Sequence, residues 1–201
     1  MRLRLVLVLA LAAAVGGCGD SQSSGGSWLR HDIPEGGSSV SLPSDWKVLS
    51  DFDAKTIADF SKESPQYARF VKPLAENDAF KLFAIDPHIE KAFATNLNVI
   101  VAPVNVPLRE WVTKENMTTR GLAVDGSLRS TFVRLPAGPA GRVSWQFELR
   151  SGAKSRTTSE ILQFLLRHDN EGYVLTYTTL PSLAAKHRPT FIRSARSFRF
   201  D

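Results

Sequence analysis

The nine residues RVSWQFELR, at positions 142–150, carry the clearest structural pattern in the chain. Apolar side chains stand at every second position and polar side chains between them; the apolar ones are Val143, Trp145, Phe147 and Leu149. Side chains on a β-strand point alternately to opposite faces, so this period of two predicts a strand with one face in the core and the other in water.

The segments on either side of this strand predict two antiparallel hairpins. Residues 128–135 precede it and are joined to it through the turn-forming sequence Pro136–Gly141. Farther on, residues 160–168 and 173–179 form a second pair joined through Asp169–Gly172. Strands joined by short, turn-rich connections indicate a mainly antiparallel sheet.

The first half of the chain alternates predicted strands and helices. A strand over 38–42 ends at the turn cluster Pro43–Asp45, and Trp46 is expected to cover the core. Apolar spacing predicts a helix over 53–61 and a second helix that starts at Pro65, with Tyr67, Phe70, Val71 and Leu74 on one face. Residues 79–85 and 97–103 are apolar at both parities, which is typical of central strands covered on both faces.

The remaining elements complete an α+β chain. Pro107 is expected to open a helix that is anchored by Trp111 and ends near Gly121. A short helix over 181–186, interrupted by Pro189, precedes a last strand that ends at Phe200. The predicted fold class is therefore α+β, built on a mainly antiparallel central sheet.

Several of these segments resemble the PsbP-like (Mog-type) fold family and its bacterial lipoproteins of the LpqN and LpqT kind. The matching segments are residues 40–48, 96–101 and 108–111, and, most closely, 172–178 and 194–200. The resemblance runs from about residue 38 to the end and implies a three-layer α/β/α sandwich. All the matching residues are core and turn positions, so the resemblance implies architecture more strongly than activity.

The N-terminus predicts export and lipid anchoring. Arg2 and Arg4 precede an apolar run that is too short to span a bilayer but suits a signal peptide. The run ends in Val15-Gly16-Gly17-Cys18, which resembles the bacterial lipobox, in which the cysteine thiol is lipidated and the chain is cut just before it. A plain secretory signal followed by a free thiol is the alternative.

These features divide the 201-residue chain into three parts. Residues 1–17 are the predicted signal peptide, residues 18–27 the lipidated Cys18 with a flexible Gly/Ser tether, and residues 28–201 a single domain. Hydrophobic residues at 43% and charged residues at 22% exclude a disordered, collagen-like or coiled-coil chain. A single cysteine excludes an internal disulfide.

Charge is unevenly distributed along the chain. The full sequence carries +5, of which Arg2 and Arg4 belong to the predicted signal peptide. Residues 106–201 hold 15 basic and 8 acidic residues. A candidate basic binding face consists of arginines on neighbouring strands, which are Arg129, Arg134, Arg142, Arg150 and Arg167, with Arg156 close by; a solvated face of mixed charge is the alternative.

No residue pattern predicts a catalytic centre or a cofactor. The best metal hypothesis is Asp86-Pro87-His88-Ile89-Glu90, where carboxylate and imidazole ligands lie within one turn, but a solvated loop explains it as well. His168 next to Asp169 suggests acid/base chemistry or a simple turn. His31 and His187 have no carboxylate at ligand spacing, so we expect both at the surface and no histidine to carry a site. No metal and no cofactor are therefore predicted.

The sequence thus favours an extracytoplasmic accessory domain, anchored to the bacterial cell membrane through lipid on Cys18, that binds an envelope protein or polymer without catalysis. A carrier of an apolar ligand or lipid, lined by some of the four Trp and twelve Phe residues, is a second hypothesis. An envelope-acting hydrolase that uses Asp86, His88 or His168 is a third. Nucleic acid is not an expected partner, because the chain is predicted to be exported and its basic residues lack interleaved exposed aromatics. The sequence does not specify an oligomeric state.

Overall fold

The strand predicted from the period-two pattern lies in the larger of two antiparallel sheets. The computed structural model describes residues 26–34, 37–50, 54–63, 80–91, 93–151 and 155–201. The strand itself, β7, spans Gly138–Ser151, longer than the pattern that predicts it. Its core face carries Val143 and Trp145, each 1% exposed, between half-buried polar neighbours. The period-two prediction is therefore confirmed where the side chains are described.

Ten strands and three α-helices make up the described part of the chain. The strands are β1 (Trp28–Ile33), β2 (Ser38–Pro43), β3 (Lys47–Leu49), β4 (Phe80–Ile85), β5 (Asn96–Pro103), β6 (Arg129–Leu135), β7, β8 (Ser155–His168), β9 (Glu171–Thr179) and β10 (Arg199–Phe200). The helices are α1 (Ala54–Glu63), α2 (Leu108–Arg120) and α3 (Ala184–Ser197), with a 3₁₀ turn at Pro181–Leu183 before α3.

The larger sheet has seven strands in the order β3-β4-β5-β9-β8-β7-β6, and every adjacent pair is antiparallel. A smaller sheet, in the order β1-β2-β10, joins the two ends of the domain. The α+β class with a mainly antiparallel sheet is thus confirmed. The second sheet and strand β1 are additions that the sequence patterns did not predict.

Two hydrophobic clusters cover the two faces of the seven-stranded sheet. On one face, Trp111 and Val112 of α2 pack with Val143, Trp145 and other sheet residues, and Ile57 of α1 packs against the same cluster. On the other face, Phe191 and Ala195 of α3 pack in one cluster with Val40 and Leu42 of β2. The outcome is an α/β/α sandwich in which the smaller sheet shares one outer layer with α3.

Most of the predicted elements are present with similar bounds. Trp46 is 7% exposed and belongs to the core, as expected, and α2 starts after Pro107 and ends before Gly121. Strand β4 has buried residues on both faces, as predicted for a central strand. The predicted helix that starts at Pro65 lies outside the described residues, as do Cys18 and the predicted signal peptide.

The predicted turn Pro136–Gly141 is too long. Leu135 pairs with Gly138, so the turn consists of Pro136 and Ala137 alone and β7 already begins at Gly138. Gly138 adopts φ 130, a conformation that side-chain-bearing residues rarely take, which permits this tight reversal. The glycines that suggested a loop are strand residues.

The prediction that Pro189 interrupts the last helix is wrong. Helix α3 runs without a break from Ala184 to Ser197, with Pro189 inside it. Proline cannot donate the hydrogen bond that the Ala185 carbonyl would accept one turn earlier. Both Ala185 and Pro189 are exposed, so water can satisfy that carbonyl and the helix continues.

Buried polar side chains follow the middle of the sheet on the α2 side. Asn98 is 1% exposed, and its amide oxygen and nitrogen have no hydrogen-bond partner among the described residues. The same holds, within the described part of the chain, for the buried Oγ atoms of Ser159 and Thr178. By contrast, Gln163 of the same sheet donates to Thr176 Oγ1 at 3.2 Å. The α2 side of the sheet is therefore more polar at its middle than the apolar cluster beside it.

Candidate functional site

An arginine-lined groove on the outer side of α3 is the main candidate site. Its volume is about 670 Å³, and it is open to solvent. Its lining residues are Ala185, Arg188, Pro189, Ile192, Arg193, Arg196 and Ser197, all from this helix. One face of α3 therefore supplies an apolar floor with three arginine side chains around it.

Contacts on the inner side of α3 fix the direction in which the groove points. Phe191 is 3% exposed and stacks on Tyr177, with ring centroids 4.9 Å apart. The Tyr177 hydroxyl donates to Ser194 Oγ at 2.9 Å, and this pair is buried. Burial raises the pKa of Tyr177 far above its ordinary value, so it stays a neutral donor. With its inner side held in this way, α3 presents its arginines to solvent.

The groove lies beside the first described strand. The Arg193 guanidinium carbon is 4.2 Å from the ring centroid of Trp28, a cation–π contact. Ser197 Oγ accepts a hydrogen bond from the backbone N–H of Ser41 at 2.7 Å, which ties the end of α3 to β2. The start of β1 therefore forms one wall of the surface around the groove.

Positive charge on this surface is only partly compensated. Arg30 pairs with Asp32 and Asp201, so the acidic residues of the smaller sheet are engaged with Arg30. Arg188 and Arg196 are exposed, and neither has a salt-bridge partner among the described residues. Uncompensated guanidinium groups beside an apolar floor suit an anionic ligand with an apolar portion.

The arginines of the candidate basic binding face lie on two opposite faces of the seven-stranded sheet. Arg142 pairs with Phe164, which belongs to the cluster on the α3 side, and with Thr131, which lies two residues from Arg129. Because paired residues, and residues two apart on one strand, share a face, both arginines lie on the α3 side of the sheet. Arg134 and Arg167 point to the α2 side; Arg167 Nε donates to the Val104 carbonyl at 3.3 Å.

Two arginines remain from the predicted set. The backbone of Arg150 pairs with Arg156, whereas the Arg150 side chain lies outside the described part. Arg156 pairs with Glu148 at 3.5 Å, so an acidic side chain compensates its charge. The predicted set does not form a single face, and the groove arginines of α3 were absent from it.

A second polar cluster forms around Asp86, where the best metal hypothesis was placed. Asp86 is 8% exposed, and its Oδ1 accepts a hydrogen bond from the backbone N–H of His88 at 2.9 Å. The imidazole Nδ1 of His88 lies 3.0 Å from the same oxygen. His187 of α3 lies between two carboxylates, with Nδ1 4.0 Å from Asp86 Oδ2 and Nε2 3.5 Å from Glu90 Oε1. Lys186 also contacts Glu90.

The expectation that His187 is a surface residue without carboxylate neighbours is therefore wrong. Its side chain is 9% exposed, and its carboxylates come from the loop after β4. About a hundred residues separate these carboxylates from His187 in the sequence, so the spacing of neighbouring residues gives no sign of the contact. His31 is half-buried, and burial lowers its pKa below the ordinary value.

The chemistry of this cluster favours a structural role. Burial lowers the pKa of His187, against the opposing effect of Asp86 and Glu90. Burial alone would raise the pKa of Glu90, but the contacts with Lys186 and His187 bring it below the ordinary value. Within the described ranges, no three His, Cys, Asp or Glu side chains are placed to hold a metal ion. The cluster joins the β4 end to the start of α3.

His187 gives the stability of the domain a pH dependence. Because its pKa is lowered in the folded state, the unfolded chain binds the proton first as the pH falls below about 6.5. We expect the free energy of unfolding to decrease from pH 7.5 to 5.5, and to decrease less in His187→Gln. Urea unfolding at several pH values measures both. His31 acts in the same sense and is common to both proteins, so identical slopes would contradict the assignment.

His168 lies at the β8–β9 turn, as the simpler of its two interpretations predicts. It is exposed at the end of β8, with Nε2 3.7 Å from Asp169 Oδ2, and its ring stacks on Phe200 at 4.3 Å between centroids. Asp169 has φ 50, as tight turns require. Together these contacts pack the β8–β9 turn against the smaller sheet.

Comparison with known proteins finds likeness in structure and not in sequence. No family model and no curated protein sequence matches the chain. A Pseudomonas aeruginosa protein of unknown function, PA94, titled a putative regulator, matches with a TM-score of 0.50 at 10% identity, over 86% of this chain and 96% of that one.

Two further solved structures match with TM-scores under 0.5. Cyanobacterial PsbP (CyanoP) from Synechocystis sp. PCC 6803 gives 0.49 at 14% identity, over 93% of this chain and 99% of that one. Mycobacterium tuberculosis LpqN, described as involved in cell envelope biogenesis, gives 0.47 at 10% identity, over 88% and 86%. PsbP and LpqN are the kinds of protein that the quoted sequence segments resemble.

No helix within the described ranges has both the length and the apolar character needed to cross a bilayer.

Proposed function

We propose that this chain is a lipid-anchored accessory domain of a bacterial cell envelope, which binds an anionic envelope component and catalyses no reaction. The sequence Val15-Gly16-Gly17-Cys18 supports the anchor, since it resembles a lipobox behind a short apolar run. Acylation of one cysteine with two or more chains gives stable membrane attachment. The domain would then be held on the extracytoplasmic side of the membrane.

The observation that carries the binding role is the α3 groove. Arg188, Arg193 and Arg196 surround an apolar floor that includes Ile192. Guanidinium groups bind carboxylates and phosphates through paired hydrogen bonds, and they stay charged at any physiological pH. The groove therefore suits a ligand that combines a phosphate or carboxylate with an apolar part.

The Asp86 cluster gives less support to a hydrolase. A catalytic base must come within hydrogen-bond reach of the substrate proton. The His187 side chain is 9% exposed and is enclosed by Asp86, Glu90 and Phe191, so a substrate has little access to its nitrogens. The His187 part of the cluster is better explained as the joint that positions α3, which leaves His88, whose side chain is 60% exposed, as the accessible histidine beside Asp86.

The test compares four proteins expressed in cells: wild type, Cys18→Ala, the charge reversal Arg188→Glu/Arg196→Glu, and a matched reversal, Arg120→Glu/Lys47→Glu, at exposed positions away from α3. Each is measured by intact mass, by membrane fractionation, and by in-cell crosslinking read by mass spectrometry.

We expect wild type to carry acyl chains on Cys18 and to fractionate with membranes, and Cys18→Ala to lose both properties. Of the two reversal variants, we expect only the α3 reversal to lose anionic envelope components from its crosslinks. An unmodified Cys18, or equal crosslinks from the two reversal variants, would contradict the proposal.

A further inference from the structure

We propose that the anionic component recognised by the α3 groove is the phospholipid surface of the very membrane that holds the anchor. The inference rests on the proposed function, because it requires the domain to be tethered at a membrane. It concerns one surface, the α3 surface, defined by Trp28, Arg188, Ile192, Arg193 and Arg196.

The α3 surface lies where the predicted tether leaves the domain. Trp28 is the first residue of β1, and its ring is in contact with Arg193 of the groove. Trp28 lies only ten positions after Cys18, and ten residues span at most about 36 Å even when fully extended. A lipid on Cys18 therefore keeps the start of β1, and with it the adjoining α3 surface, within about 36 Å of the bilayer.

The residue types of the surface match those that bind membrane interfaces. Tryptophan favours the level of the lipid headgroups because its ring is apolar and its N–H is polar. Trp28 is half-buried at the edge of the groove, and Ile192 lies half-buried in its floor. Arginines beside these apolar groups can bind headgroup phosphates while the apolar side chains enter the boundary region.

The charge on the surface favours anionic over neutral lipid. At the end of the smaller sheet, Arg30 and Arg199 together offset the charges of Asp32 and Asp201, which leaves the three groove arginines as net positive charge. Each basic residue near an anionic membrane increases partition by about fivefold, so the three groove arginines together contribute about a hundredfold. A membrane-bound α3 surface would fix the orientation of the domain and leave the α2 side facing away from the bilayer.

Tryptophan fluorescence gives a direct test because one tryptophan of four reports on this surface. Trp46, Trp111 and Trp145 are between 1% and 7% exposed, whereas Trp28 is only half-buried. The mature protein, purified from bacterial membranes, is mixed with vesicles that contain brominated lipid, which quenches only tryptophans in contact with it. One vesicle set contains phosphatidylglycerol and brominated phosphatidylcholine, and the other contains phosphatidylcholine alone with the same bromine content.

We expect quenching in the anionic vesicles. In 0.5 M salt, where the Debye length falls from about 10 Å to about 4 Å, we expect the quenching to be reversed. In Trp28→Phe, we expect it to be lost. Arg188→Glu/Arg196→Glu is expected to lower the equilibrium constant between quenched and unquenched protein at least 25-fold, and Arg120→Glu/Lys47→Glu to leave it unchanged. If the double glutamate variant melts at a lower temperature, Arg188→Gln/Arg196→Gln replaces it and is expected to weaken quenching less, by about 25-fold. Equal quenching in neutral vesicles, or none in either, would overturn the inference.

Sedimentation of the same samples separates this inference from the proposed function. Binding to neutral vesicles depends on the acyl chains of Cys18, so its absence together with an unmodified Cys18 mass would refute the anchor. Tight sedimentation with both vesicle types, without quenching of Trp28, would leave the anchor intact and refute the α3 surface as the lipid contact.

Discussion

Replacement of Phe191 by alanine is expected to lower the free energy of unfolding by about 3–5 kcal/mol, the range found for aromatic side chains removed from a core. Phe191 is 3% exposed, stacks on Tyr177 at 4.9 Å and lies 6.1 Å from the ring of His187. The alanine would leave a cavity between α3 and β9 that the rigid sheet cannot close. Urea unfolding, followed by circular dichroism, measures the loss.

The neighbouring residue provides the matched control. Ile192 is half-buried in the groove floor on the outer side of the same helix, so Ile192→Ala is expected to cost about 1 kcal/mol. Similar losses from the two variants would mean that α3 is not held through its Phe191 side. The orientation of the groove would then lack its structural basis.

Introduction of a single methyl group at Gly141 is expected to destabilise the domain by about 1–3 kcal/mol, as overpacking of a filled core does. A Cβ at this position would lie 2.4 Å from Val112 Cγ2 of α2, well inside van der Waals contact. Val112 is 2% exposed, and a β-branched side chain in a helix has one preferred rotamer, so it cannot turn away. The helix itself has to move.

A double-mutant cycle identifies this contact as the cause. Val112→Ala alone is expected to cost about 1–3 kcal/mol through the cavity that it leaves. In Gly141→Ala/Val112→Ala the new methyl occupies that space, so the combined loss should be smaller than the sum of the two by about 1 kcal/mol or more. Additive losses in chemical denaturation would show that the methyl group at position 141 does not meet α2.

Local patterns predicted the central strands because each strand carries its own evidence. β7 alternates apolar and polar residues, and β4 is apolar at both parities because helices or the smaller sheet cover both faces. β1 carries no such pattern: its six residues are mostly exposed or half-buried. It is a strand because it pairs with β2, the next strand along the chain, which in turn pairs with the far C-terminal β10. Its strand structure thus comes from its partners and not from a pattern of its own.

The candidate site was harder to predict because it depends on register and on distant contacts. Whether two arginines on neighbouring strands share a face changes with a shift of one residue. The two-residue turn after Leu135 sets that register and separates Arg134 from Arg142. Similarly, the carboxylates around His187 come from the β4 end, which is adjacent to α3 only in the folded chain.

The groove arginines did carry a signal in the sequence. Arg188, Arg193 and Arg196 lie within one arc of a helix that continues through Pro189. A helix break at Pro189 would separate Arg188 from Arg193 and Arg196, whereas the continuous helix places all three on one face. An exposed proline is compatible with a continuous helix when the backbone carbonyl one turn earlier, which loses its hydrogen bond, can bind water instead.

Site-specific photocrosslinking in living cells tests the central claim most directly. A photoreactive amino acid replaces Ile192 in the α3 groove, or Thr113 on the exposed side of α2, on the opposite face of the seven-stranded sheet. The account predicts anionic phospholipid adducts at position 192, no such adducts at position 113, and loss of the adducts at 192 in the Cys18→Ala background. Equal lipid adducts at both positions, or adducts at position 113 alone, would contradict it.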